Sequence, residues 1–237
     1  MTKKYILALL IFFVLIIVTY FVGKNTNEGI AEVKDVYNNV ESIENCTMEQ
    51  IVESSDRYKI NIFYPVTNYE KLNNKIKETI NEKFENFKED ASKGEGITDK
   101  IVTLDIKFNI SSYNEYISVE FDVFYDFGGA HPNTYTYTIS YNVKEDKIIT
   151  IDDLMEKNDE LLNKLHDYFS EKLKENERIK ESFNERMFED GLRPVKENFE
   201  NFIFTKDGII FIFNRYQVAP YVAGGFRELI PFDNIKI

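Results

Sequence analysis

Apolar and polar residues change their spacing several times along this chain, and each change marks an element. Tyr58, Ile60, Ile62 and Tyr64 alternate with Lys59 and Asn61 until Pro65, which predicts a strand with one wet face. Tyr69, Leu72, Ile76, Ile80, Phe84 and Phe87 then recur at steps of three and four, the stripe of an amphipathic helix. Three period-two runs follow: Val102 to Ile110, Ile117 to Tyr125 and Tyr135 to Val143. They read as an antiparallel meander with one packed face, under the Tyr69 helix, and one solvated face of Thr, Asp, Lys and Ser. On this pattern Phe121 belongs to the core and Glu120 to the surface.

Thr150 and Asp153 have the spacing of a capping box, ahead of a helix at about 158–175 with Leu161, Leu162, Leu165, Phe169 and Leu173 on its buried stripe. Ile179, Phe183 and Met187 predict a further helix, stopped by Gly191 and Pro194. Asn201 to Thr205 and Ile209 to Phe213 flank an Asp-Gly turn, and a last strand runs from Phe226 to Ile230. The expected class is α+β: an antiparallel sheet meander covered by amphipathic helices, in two lobes, 46–150 and 151–237.

One run fits neither period. Residues 5–22, YILALLIFFVLIIVTYFV, carry no charge and approach the roughly 20 residues that a helix needs to cross a bilayer. Lys3 and Lys4 precede it, so a cytoplasmic tail of residues 1–4 and an extracytoplasmic remainder are expected. The run is longer than the h-region of a signal peptide and no A-x-A-like site follows, which favours an uncleaved single-pass anchor over a cleaved leader. Residues 23–45 are polar and read either as a helical stalk or as a flexible tether.

Charge narrows the partners. The chain has 29 Lys and Arg against 41 Asp and Glu, a formal net charge of −12, and two of the basic residues lie ahead of the apolar run. Such a field repels nucleic acid and attracts a basic protein. Cys46 is the single cysteine, so an intramolecular disulfide is excluded.

Two stretches invite a functional reading. In FGGAHPN, residues 127–133, Gly128 and Gly129 suit a chain reversal and Pro132 limits where the next strand starts, leaving His131 as a backbone-bonded loop residue or a ligand-facing one. In YQVAPYVAGG, residues 216–225, Tyr216, Gln217, Tyr221 and Gly224 form either a buried extended segment or a binding surface. His166 sits in a helical pattern far from His131, and no H-x-x-x-H, P-loop or G-x-S-x-G motif occurs. No cofactor, metal or enzymatic activity is expected.

These stretches, with NIFYPVTNYEKLNNKIKETI (61–80), FYDFGGAHPNTYTYTISYNVKEDKIITIDDLM (124–155) and IIFIFNRYQVAPYVAGGFRELIPFDNIK (209–236), resemble the extracytoplasmic domain of RsiV-type anti-sigma factors and the non-catalytic N-terminal domain of PdaC-type peptidoglycan deacetylases. The resemblance implies a PdaC-like first lobe and an RsiV-like second lobe in a wall-side binding or sensor module whose partner is lysozyme or peptidoglycan. Within the two stretches, Gly128, Gly129, His131, Pro132, Tyr216, Gln217, Tyr221 and Gly224 are the candidate binding residues. Only four residues precede the apolar run and no deacetylase domain is present, so neither sigma-factor binding nor deacetylation carries over. The competing reading is a peptidoglycan hydrolase or deacetylase that uses His131 with nearby carboxylates.

Overall fold

The computed structural model describes residue 43, residues 46–93 and residues 100–235. The anchor at 5–22 and the stalk at 23–45 lie outside the described residues, apart from residue 43 itself. Among the described residues no helix is long and apolar enough to cross a membrane.

The first sheet has the order β1-β2-β3-β4-β5-β6, with β1 Thr47–Ser54, β2 Tyr58–Val66, β3 Val102–Tyr113, β4 Tyr116–Asp126, β5 Asn133–Asn142 and β6 Lys147–Ile149. The meander β3-β4-β5 is antiparallel, and its register sets Phe108 opposite Phe121 and Phe121 opposite Tyr137. Helix α1, Glu70–Lys93, carries the chain across the sheet, so β2 and β3 run parallel and the sheet is mixed rather than purely antiparallel. The expectation of an antiparallel sheet fails here because periodicity reports faces and not strand direction. β1 and β6 carry too little alternation to be seen in advance. Pro65 does not end β2: it lies past Ile62, the last residue paired with β3, where one side of the strand needs no N–H.

The predicted packed face is the observed one. Leu72, Ile76, Ile80 and Phe87 of α1 are buried over Ile62, Ile106, Phe108, Val119, Phe121 and Ile139. Ring contacts extend the helix across the sheet, Phe87 to Tyr58 at 6.4 Å and Tyr69 to Tyr141 at 5.3 Å.

The opposite face is a correction. Ser118, Glu120, Thr138, Ser140 and Asn142 are all buried, Glu120 to 6% exposure, although their alternation with apolar residues predicts water. Asn142 bonds the turn into β6 by accepting from Lys144 N and Glu145 N, and the other four are covered by a second sheet of order β7-β8-β9, with β7 Phe202–Thr205, β8 Gly208–Phe213 and β9 Phe226–Ile230. β7 is an edge strand, and its outward backbone groups meet hydroxyls of the first sheet. Phe202 N donates to Thr138 Oγ1 (2.9 Å), Phe204 N donates to Ser118 Oγ (3.1 Å), and Ser140 Oγ donates to Phe202 O (3.1 Å). The reverse also holds: the free N–H groups of Thr136 and Thr138 on β5 donate to the side-chain oxygens of Asn214 (2.7 Å) and Asn201 (3.1 Å). Each strand edge is satisfied by the other sheet's side chains. Arg227 on β9 closes the interface with an ion pair to Glu120.

The other face of the second sheet is apolar and takes the helices α2 Ile151–Lys157, α3 Leu161–Lys174, α4 Glu177–Glu181 and α5 Glu185–Leu192, with a short terminal helix α6 Phe232–Ile235. Leu161, Leu165, Phe169 and Leu173 are fully buried, as their spacing predicts, and Phe169 packs edge-on to Phe211 and Phe213. The Asp153 carboxylate accepts from Thr150 N (2.7 Å) at the start of α2, realising the capping box. The helix predicted through Ile179, Phe183 and Met187 is instead two short ones. Asn184 caps the second by accepting from Met187 N, and Phe183 between them is 52% exposed.

Two sets of variants test this packing by urea unfolding of the chain. Phe121→Ala is expected to cost about 3–5 kcal/mol, as a truncated core Phe does. Burial pushes the Glu120 carboxyl up, against the hydrogen bond and charge of Arg227 and with the like charge of Asp122. The native state then holds that proton more tightly than the unfolded chain, so the stabilisation is present below the unfolded value and is lost as pH rises through the folded one. The stability of wild type relative to Glu120→Gln should therefore fall as pH rises from about 4 to 7; a rise would mean that the Arg227 pair outweighs burial. In the second set, a Cβ at Gly191 would lie 1.9 Å from the Gln217 carbonyl oxygen, whereas one at Gly129 meets nothing within 4 Å. Gly191→Ala should cost about 2–3 kcal/mol and Gly129→Ala should stay within about 0.5 kcal/mol.

Candidate binding surface

The loop that joins β4 to β5 is held at its base by Asp126, whose carboxylate accepts from Gly128 N (2.7 Å). Gly128 has φ +74°, so the reversal does need glycine there. Gly129 is exposed and does not share the left-handed conformation, which narrows the predicted pair of turn glycines to one. The turn leaves His131 on the surface and Pro132 half-buried beneath it.

The second stretch leaves the end of β8. Asn214 fixes its start by bonding both Thr136 N and Thr136 O on β5, within a few residues of His131 in the chain. Tyr216 follows with φ +66°, a conformation a tyrosine holds only where surrounding contacts impose it. A short 3-10 turn at Tyr221–Ala223 ends at Gly224, φ +77°. Arg178 of α4 locks that turn: Nη1 donates to Ala223 O (2.8 Å) and the guanidinium lies 4.3 Å over the Phe226 ring.

The two stretches, far apart in sequence, meet in one cluster. The Tyr221 ring stacks on the His131 ring with centroids 3.9 Å apart and planes at 22°, and Tyr221 Oη donates to Pro132 O (3.0 Å). Tyr216 Oη and His131 Nε2 are 3.2 Å apart, while His131 Nδ1 sits 3.0 Å from Pro132 O. Arg215 lies over the far face of the cluster, 4.5 Å from the Tyr221 centroid. Tyr216 is 50% exposed and Val222 is 82% exposed beside it. The result is a partly exposed aromatic knob whose rings are cross-bonded, with a hydroxyl, an imidazole and a guanidinium around it.

Of the sequence candidates, Gly128, His131, Pro132, Tyr216 and Tyr221 come together here. Gln217 does not face outward. Its amide donates to Asn198 O (3.0 Å) and Gly191 O (3.3 Å) and accepts from Asn214 N (3.1 Å), so it ties the loop to α5 and serves the fold. Gly224 is likewise a turn residue under Arg178, where a Cβ would meet the guanidinium at 3.1 Å. Arg215 and Val222 belong to the knob and were not anticipated, because a lone Arg or Val after a strand has no signature of its own.

The histidines serve separate places. His166 Nδ1 is 2.8 Å from Leu192 O, while both ring nitrogens of His131 face a carbonyl and a phenol rather than a carboxylate. Among the described residues no group of three or more His, Cys, Asp or Glu side chains could hold a metal ion. The arrangement presents shape, aromatic area and hydrogen bonds, the attributes of recognition.

Known proteins resemble the chain in sequence or in fold. The chain is 27% identical over 177 residues to the peptidoglycan-N-acetylmuramic acid deacetylase PdaC of Bacillus subtilis, covering 74% of this chain and 38% of that enzyme. The chain thus spans well under half of that relative, and the activity in its name is not shown for this protein. The immunogenic protein MPT64 of Mycobacterium tuberculosis is 28% identical over 192 residues, covering 77% of this chain and 78% of that protein. Two solved structures described as DUF3298 family proteins superpose on it with a TM-score of 0.54: one from Bacteroides fragilis (17% identity, 81% of this chain and 92% of that one) and one from Pseudomonas aeruginosa (13% identity, 81% and 94%). At these identities they show the fold alone. Residues 152–233, which include β7 to β9, Arg215, Tyr216 and Tyr221 but not His131, match the family described as a protein of unknown function, DUF3298, so the chain carries a DUF3298 domain.

Proposed function

We propose that this protein is a membrane-anchored, extracytoplasmic binding module of a bacterial cell envelope, and that it takes its ligand on the His131–Tyr216–Tyr221 knob. The observation that carries the reading is the convergence itself: two separated stretches fold into one exposed, cross-bonded aromatic surface. Rigid tyrosines with a guanidinium beside them are the composition of interaction hot spots, where large amphipathic side chains are ordered before binding and little entropy is lost. The apolar run at 5–22 behind Lys3 and Lys4 supports the anchored, outward-facing placement.

The partner that fits is a basic protein. The excess of 41 acidic over 29 basic residues steers such a partner in, and the knob supplies the short-range contact. The likeness to RsiV-type anti-sigma factors makes lysozyme the specific candidate and sensing the specific role; the likeness to PdaC supports work at the wall. The hydrolase reading is the weaker one, because His131 is stacked and bonded among Tyr221, Tyr216 and Pro132 rather than paired with a carboxylate.

The test is retention of the full chain, in detergent micelles, on immobilised lysozyme and on an equally basic control protein. Lysozyme should retain it more tightly, and Tyr221→Ala and His131→Ala should each weaken retention at least tenfold while the urea midpoint stays in place. Equal retention on both proteins, or no change in either variant, would contradict the reading.

A further inference from the structure

A second aromatic surface lies at the tip of the β3–β4 hairpin, on the face of the sheet that carries β7. Tyr113 and Tyr116 are paired across the two-residue turn Asn114-Glu115, where Asn114 takes φ +50°. The pairing puts both rings on one side of the hairpin. Tyr116 stacks on Phe204 of β7 with centroids 3.8 Å apart and planes at 11°, and Tyr113 stacks on Phe232 of α6 at 6.1 Å and 19°. Between them opens a cleft of about 220 Å³, lined also by Leu154 and Lys157 of α2.

The chemistry of the lining is mixed. Tyr113, Tyr116 and Phe232 are half-buried, so each shows part of a ring to solvent. Neither phenolic hydroxyl has a hydrogen-bond partner among the described residues, and the exposed Lys157 ammonium has no ion pair among them. An aromatic floor with unpaired hydroxyls and an ammonium at its rim is poorly matched to an apolar peptide, which would leave those polar groups without partners. It matches a pyranose, whose C–H face packs on an aromatic ring while its hydroxyls take and give hydrogen bonds at the edge. The size agrees: a cleft this small admits a single ring, below the roughly 300–1,000 Å³ of sites for larger ligands.

We propose that this cleft is a saccharide-binding site that takes one pyranose ring of a glycan. Tyr113 and Phe232 supply the stacking surface, and the Tyr113 and Tyr116 hydroxyls and Lys157 supply the polar contacts. The site is separate from the His131 knob in the residues that build it, so one can fail without the other.

The experiment is retention of the full chain, in detergent micelles, on three insoluble glycans: chitin, cellulose and purified bacterial wall sacculi. Retention on at least one of them, displaced by a soluble oligomer of the same sugar, is expected, and the polymer that retains best identifies the sugar. Tyr113→Ala and Phe232→Ala should each weaken retention at least tenfold and Lys157→Gln about two- to fivefold, while Arg186→Gln, at an exposed position of α5 outside the cleft, leaves it unchanged. Tyr113→Phe keeps the ring and should keep most of the binding, which separates stacking from any loss of fold in the alanine variants. If none of the three polymers retains the wild type, the proposal is wrong. It is also wrong if Lys157→Gln and both alanine variants bind as the wild type does.

Discussion

The arrangement depends on how two strand edges avoid water. β7 would present unpaired N–H and C=O groups, and so would the part of β5 beyond its short partner β6. In this protein the side chains of each sheet satisfy the backbone of the other: Ser118, Thr138 and Ser140 serve Phe202 and Phe204, and Asn201 and Asn214 serve Thr136 and Thr138. A buried backbone group without a partner costs about as much as a lost hydrogen bond, so the hydroxyls that would be expensive on a bare apolar face are here required. The geometry also fixes position. Hydrogen bonds between a side chain and one particular amide admit a single register, which apolar contact alone does not.

That register places the candidate surface. Asn214 bonds Thr136 at the point where the second stretch leaves β8, only a few residues after the β4–β5 loop ends. From there Tyr216 and Tyr221 have no choice but to fall against His131 and Pro132. Gln217 and Arg178 then hold the loop from the α4–α5 side, which leaves the aromatic rings as its free face. The surface therefore straddles the start of the DUF3298 match at residue 152, with its histidine contributed from before it.

Much of this was legible in the residues. The stripe of α1, the three runs of the meander, the capping box at Thr150 and the strand from Phe226 to Ile230 follow from spacing and stand where spacing puts them. The misread face of the meander has a physical cause: Ser and Thr alternating with Val and Ile look the same whether their hydroxyls bond water or a neighbouring strand's amides. Glu120 could not be told from a surface glutamate, because its partner Arg227 is far along the chain. The same limit applied at the knob. Glycine, histidine and tyrosine marked both stretches, but their contact, the inward turn of Gln217 and the role of Arg215 depend on a register that no local pattern encodes.

Native-state hydrogen exchange of the Phe202 and Phe204 amides tests the seat of β7 most directly, since both point away from β8 toward the first sheet. Both amides should be protected as strongly as the meander's central amides, with Thr138→Val releasing Phe202 selectively and Ser118→Ala releasing Phe204. Fast exchange of both amides in the wild type, as on an open strand edge, would contradict it.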